Sequence, residues 1–179
     1  MRVYLPATSE TLRGLAGTGA LGPAPLTAFA VTPGLREHYL DDDLEELEYA
    51  ASADAARASL RLIDADPAAV RRRVVIAADV EDRLVTVRDD LDRGVVQLGT
   101  EVPLAWCASV HIDEQAAEAT VAEAALLIDA ADLGDPAAEE KVDDAEGFDL
   151  LWYATQEIAD LLTELAVAGE DRSSGHLDG

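Results

Sequence analysis

The stretch DLEELEYAASADAARASLRLID, Asp43 to Asp64, followed after Asp66-Pro67 by RVVIAA, Arg73 to Ala78, decides the fold class. In the first segment Leu44, Leu47, Ala51, Ala55, Ala58 and Leu62 recur at intervals of three or four, which is one face of a helix of about five turns. Asp41, Asp42 and Asp43 suit its N-terminus, where the helix dipole favours negative charge, and Arg57 and Arg61 suit its later turns. The second segment is almost wholly apolar, the pattern of a strand covered on both faces. A long helix feeding such a strand requires a sheet with helices packed on it.

The same grammar extends outward in both directions. Arg2 to Ala7 reads as a first strand, and Thr8 or Ser9 as the cap of a short helix that buries Leu12 and Leu15 and ends among Gly14, Gly17 and Gly19. Leu26 to Val31 reads as a second strand, and Thr32-Pro33 opens a brief helix over Leu35 to Leu40. Leu84 to Arg88, Gly94 to Leu98 and Leu104 to Ile112 supply further strands. Asp113 is placed to cap a helix from Glu114 to about Ala131, and a last helix carries Phe148, Leu151, Thr155, Ile158, Leu162 and Leu165 at helical spacing. The expected architecture is therefore α/β or α+β, a mixed sheet of five to six strands flanked by helices. Residues 1–168 form one domain, with 132–147 as an acidic linker between the last two helices and 169–179 as a flexible tail.

Length and composition agree with that reading. A chain of 179 residues with 49% hydrophobic content can bury a core without a staple. Aromatic residues are only 4%, so the core must be aliphatic and rich in alanine. Cys107 is the single cysteine and forms no intramolecular disulfide. The opening apolar run is broken by Pro6 and is too short for a signal sequence, and no window reaches the length of a membrane span. The cytosol is the expected compartment.

The net charge of −24 disfavours nucleic acid and anionic membrane as partners. It is unevenly shared: residues 1–90 hold 16 acids and 10 basic residues, residues 91–179 hold 21 acids and three. Between residues 113 and 164 there are 16 acids against Lys141 alone, a field that serves solubility or attracts a basic protein partner.

Chemistry-bearing patterns are sparse. Metal-ligand spacings are absent, and no cofactor motif is present. His111 and Asp113 stand two apart and could project together from a strand, but Asp113 serves more simply as a helix cap. Cys107 sits in an apolar strand, where an inert thiol is expected. Gly14-x-x-Gly17-x-Gly19 falls late in a helix and no Walker lysine follows it, so it is not a phosphate loop. The densest group is Arg57 and Arg61, four apart on the long helix, with Trp152, Tyr153, Gln156 and Glu157 opening the last one. If those helices pack together, the six residues would line a pocket for a small anionic ligand.

Arg2-Val3-Tyr4-Leu5-Pro6-Ala7-Thr8, Leu26 to Pro33, Glu46 to Ala51, Ala56 to Leu62, Arg73 to Val80, Val110 to Asp113 and Leu151 to Glu157 together resemble an uncharacterised family of small actinobacterial proteins, a domain of unknown function. The resemblance covers residues 1 to about 162 and implies no activity, ligand or catalytic residue. The residues themselves favour a small acidic cytosolic binding or protein-interaction module without catalysis; the alternative is a small-molecule-binding protein or small enzyme using the Arg57/Arg61 and Trp152–Glu157 pocket.

Overall fold

The computed structural model describes residues 1–40 and 42–174. The chain runs β1 (Arg2–Ala7), α1 (Ser9–Thr18), β2 (Ala20–Leu21), β3 (Leu26–Phe29), α2 (Pro33–His38), α3 (Leu44–Ala65) and β4 (Val74–Asp79). It continues through β5 (Val85–Val87), β6 (Val95–Leu98), β7 (Val102–Pro103), β8 (Cys107–Ile112), α4 (Glu118–Asp132), α5 (Pro136–Glu146), β9 (Leu151–Tyr153) and α6 (Ile158–Ser174). One sheet has the order β5-β6-β3-β1-β4-β8-β9, and β2 pairs with β7 in a small ribbon. Every pairing is antiparallel. The α+β alternative therefore holds, with seven strands in place of five or six and no parallel pair.

Strand alternation sorts the core into two faces. Val3, Leu5, Ala7, Val74, Ile76, Val110 and Ile112 turn toward Leu12 and Leu15 of α1 and Ile158, Leu161 and Leu165 of α6. Tyr4, Phe29, Val75, Ala77 and Val95 turn the other way, against Leu47, Ala51 and Ala55 of α3. Alanines on that face let the helix lie close to the sheet, which is how an aromatic-poor chain fills this layer. The later turns of α3 serve a third cluster, in which Leu60 and Ile63 meet Val121, Ala124 and Ile128 of α4 and Val142 of α5.

Local chemistry sets the element ends as expected at several points. Thr8 and Thr11 form a reciprocal capping box at α1, and Gly19 closes that helix in the left-handed region. Thr32 caps α2, with Pro33 in its first turn. Asp89 joins this corner, accepting from the Thr32 hydroxyl at 2.7 Å and from the Gly34 amide at 3.0 Å. A side chain at Gly34 would meet that carboxylate at 2.7 Å.

Other expectations are corrected. Leu44 and Leu62 are 51% and 40% exposed; the buried face is Leu47, Ala51, Ala55, Ala56, Ser59, Leu60 and Ile63. The face rotates because α3 meets the sheet first and the α4–α5 pair later. Ser59 can lie inside because its hydroxyl donates to the Ala7 carbonyl at 2.6 Å and accepts from the Val74 amide at 3.1 Å. The acidic linker over 132–147 is largely helix α5, capped by Asp135, opened by Pro136, and buried through Ala138, Val142 and Ala145. Of the expected tail, 169–174 continue α6, and 175–179 lie outside the described residues. Leu104–Trp106 form a 3-10 turn before β8 begins at Cys107.

Asp113 does not cap α4, which starts at Glu118 after a 3-10 turn over Gln115–Ala117. It is buried instead against Arg73: two guanidinium bonds of 2.8 and 2.7 Å and the Arg73 amide at 2.8 Å all end on its carboxylate. Arg73 Nη2 also donates to the Phe148 carbonyl at 3.0 Å. With both side chains almost wholly removed from solvent, Asp113→Ala should cost about 3–5 kcal/mol by leaving the guanidinium uncompensated. Denaturant unfolding checks this, with Glu118→Ala on the less buried neighbouring pair as the smaller comparison.

The thiol of Cys107 is buried, with Sγ 3.7 Å from the Pro103 carbonyl, and burial pushes its pKa up to about 11. Native protein at neutral pH should label at least tenfold more slowly than unfolded protein in a thiol-reagent assay.

Candidate functional site

The arginines singled out in sequence are engaged in a structural network. Arg57 donates to Glu139 at 3.1 Å and to Asp132 and Glu146 at 3.3 Å, while Arg61 grips Asp132 with two bonds of 2.7 and 2.9 Å. Burial alone would lower the Arg57 pKa, but Glu139, Glu146 and Asp132 outweigh it and raise the value. The bond from Arg61 holds Asp132 below the usual carboxylate range. This network fastens α3 to α4 and α5.

Trp152 and Tyr153 do not open the last helix; they lie in β9, an edge strand. Trp152 is opposite His111 and exposed, while Tyr153 is opposite Val110 and packs against the α1–α6 core. Gln156 and Glu157 lie in a 3-10 turn, where the Glu157 carboxylate accepts from the Ala154 amide at 2.8 Å. The two halves of the expected anion pocket are thus held by different partners. The basic run 71–73 is likewise consumed internally: Arg71 donates to the Ile63 and Asp66 carbonyls at the end of α3, Arg72 pairs with Glu118, and Arg73 with Asp113.

The structure instead assembles a cleft around Tyr49, on the rim of α3. Three recesses share that residue. One of about 360 Å³ is lined by Tyr4 of β1, Glu48, Tyr49 and Ser52 of α3, His111 of β8, and Asp149 and Leu150. A second, about 270 Å³, runs along Ser52 and Asp54 to Glu146, Phe148 and Arg73. The third and most open, about 640 Å³, is bounded by Tyr39, Asp43, Glu45, Glu46 and Asp54. Together they bring carboxylates and phenol rings to one surface. An apolar furrow of about 350 Å³ beside α1 is lined mainly by aliphatic groups and carries little chemistry.

Each wall follows from local sequence. Tyr4 lies on the α3 side of β1, one residue after Val3 on the opposite face. His111 and Ser109 share a face of β8, and Ser109 Oγ lies 2.9 Å from His111 Nε2. Burial, with the Arg2 charge added, lowers the His111 pKa, so the ring is neutral at pH 7. Burial and the Glu48 charge raise the Tyr4 pKa. Asp149 and Leu150 form the far wall, just past the Phe148 carbonyl that Arg73 holds. His111 and Asp113 are separated, one on Ser109 and the other on Arg73. Among the described residues no group of three or more histidine, cysteine or acidic side chains could hold a metal ion.

Sequence reading weighed His111 but not its surroundings, and it left Tyr4, Glu48, Tyr49, Ser52 and Asp149 out of the expected pocket. The available signal was Tyr49 itself, an aromatic residue off the apolar stripe of an acidic helix. Its pairing with Tyr4 and His111 required the strand order.

Asp54, half-buried in this cleft, is pushed up to about 6, first by burial and then by Asp92 and Glu146. A carboxyl raised in the folded state favours folding below its unfolded pKa, and that contribution is lost as pH rises from about 4 to about 6. Asp54→Asn should match wild type below pH ~4 and gain about 1 kcal/mol over it by pH 7, a figure discounted for the group's partial exposure. Urea unfolding of both proteins across that range checks the sign.

The chain belongs to a family of unknown function, DUF6912, whose family model matches residues 1–162. No curated protein matches it, and neither does any solved structure.

Proposed function

We propose that the protein is a non-catalytic interaction module of the cytosol that docks a basic, partly apolar segment of another protein on the α2–α3 corner. The observation that carries this reading is that Tyr39, Leu40, Leu44 and Tyr49, all exposed, fall in one short segment with Asp42, Asp43, Glu45 and Glu46, and that Tyr39 and Tyr49 line one recess with Asp43, Glu45 and Glu46. Only Asp42 of those four carboxylates takes part in a salt bridge among the described residues, with Arg36. Clustered exposed apolar residues rimmed by charge mark interaction surfaces more often than scattered ones do.

The occupant follows from charge. A second copy would bring a second chain of net charge −24 against the first, whereas a basic segment is drawn by the field and then held by apolar contact. Specific docking of this kind weakens with salt but persists through its apolar anchors, and nonspecific attraction is screened out over roughly 8–10 Å. No helix among the described residues is long and apolar enough to cross a membrane.

Immobilised wild type should capture a protein with a basic segment from source cytosol, less strongly at high salt. Leu40→Ser/Leu44→Ser should reduce that capture about tenfold, as loss of interface anchors does. Asp143→Asn/Asp144→Asn, which removes two exposed charges from α5, should leave it nearly unchanged. Capture that ignores the leucines, or that follows net charge alone, overturns the reading.

A further inference from the structure

We infer that the recess between Tyr4, Tyr49 and His111 is a pocket for one basic side chain, an arginine by preference, carried by the docked segment. This rests on the docking reading above and adds to it the determinant of specificity.

Four observations converge on a cationic guest. Tyr4 is more than nine-tenths buried and lines the recess, and its hydroxyl, which makes no hydrogen bond among the described residues, is not itself buried but open to that recess. A hydroxyl that no protein group pairs and that opens onto a recess is free to accept a hydrogen bond from a guest. Glu48 and Asp149 reach the same recess from α3 and from the loop before β9, and neither is in a salt bridge among the described residues. The cations nearest in sequence and fold are already committed, Arg2 to Asp79 and Arg73 to Asp113. Finally, Tyr49 presents an exposed ring at the mouth, and His111 offers a neutral imidazole that does not repel positive charge.

The chemistry selects arginine over lysine. A planar guanidinium can stack on the Tyr49 ring while its N–H groups donate to the carboxylates of Glu48 and Asp149 and to the Tyr4 oxygen. An ammonium is a compact, strongly hydrated charge that uses a ring face less well. A recess of about 360 Å³ accommodates one such side chain and is small for a folded element. An anionic guest would face both carboxylates, with the nearby Arg2 charge already bound to Asp79. The anion pocket expected from Arg57 and Arg61 lies elsewhere and is already filled by protein carboxylates.

Acetyl-arginine amide, titrated into the full chain and followed by NMR of the tyrosine and histidine rings, tests the pocket directly. The ring signals of Tyr4, Tyr49 and His111 should shift saturably, more weakly with acetyl-lysine amide and not with acetyl-norleucine amide. Glu48→Gln/Asp149→Asn should weaken arginine-amide binding at least tenfold, and Tyr49→Leu several-fold. Asp143→Asn/Asp144→Asn, with the same loss of charge elsewhere, should bind as wild type does. Equal shifts with norleucine amide, or equal weakening in both charge variants, overturns the inference. So does partner capture that survives intact in Glu48→Gln/Asp149→Asn, an outcome that leaves the docking face standing. Conversely, arginine-amide binding that follows this pattern while capture ignores Leu40→Ser/Leu44→Ser supports the pocket and removes the docking face.

Discussion

The buried pair of Arg73 and Asp113 is the constraint on which the rest of the architecture depends. Two opposite charges removed from water are tolerated only when geometry and remaining hydrogen bonds are satisfied together. Here the Asp113 carboxylate accepts three bonds from Arg73, and the Arg73 guanidinium spends a further donor on the Phe148 carbonyl. That arrangement fixes the start of β4 to the end of β8 and ties both to the chain entering β9. Among the described residues no buried side-chain polar atom lacks a partner. One ion pair thereby sets the register of three strands and the position of the wall that carries Asp149.

From that anchor the placement of the cleft follows. Helix α3 must cover β1 and β4, and it does so with Leu47, Ala51 and Ala55. Small residues bring the helix axis close to the sheet, so side chains on the flank of that stripe overlook the neighbouring strands instead of solvent alone. Glu48, Tyr49 and Ser52 occupy that flank, above Tyr4 and His111. The same helix needs Arg57, Arg61, Leu60 and Ile63 to hold α4 and α5. Its first half therefore borders the cleft, and its second half packs on the α4–α5 pair.

What the sequence disclosed divides along the same line. Periodicity found α3 within a residue at each end, and apolar continuity found β4, because both signals are local. Local signals also misled where two partners compete. Leu62 fits the helical stripe as well as Ile63 does, yet only the position of the α4–α5 pair decides between them. In the acidic stretch, Asp135-Pro136 with Ala138, Val142 and Ala145 carried a helix signal that the surrounding carboxylates masked. Leu151-Trp152-Tyr153 satisfied helical spacing with residues that favour strands, and pairing with β8 settled it. Tyr4, His111 and Asp149 come from the first strand, the eighth and a late loop, a meeting visible only once the sheet order β1-β4-β8-β9 is known.

Where negative charge is free matters more than how much there is. The region from 113 to 164 holds 16 acids, but its charges are partly consumed within the fold. Asp113 neutralises Arg73, Glu118 meets Arg72, and Asp132, Glu139 and Glu146 surround Arg57 and Arg61. Asp135 is occupied as a helix cap. A carboxylate already paired with a guanidinium contributes little field at a distance, because the pair is nearly neutral seen from beyond a Debye length. At the α2–α3 corner the balance is reversed. Glu45, Glu46 and Glu48 have no salt-bridged arginine or lysine among the described residues, and they border exposed aromatic and leucine side chains. Uncompensated charge beside uncovered apolar surface is the combination that can both steer and hold a basic partner. The more acidic half of the sequence therefore spends much of its charge inside the fold, and the less acidic half carries the uncompensated charge of the α2–α3 corner.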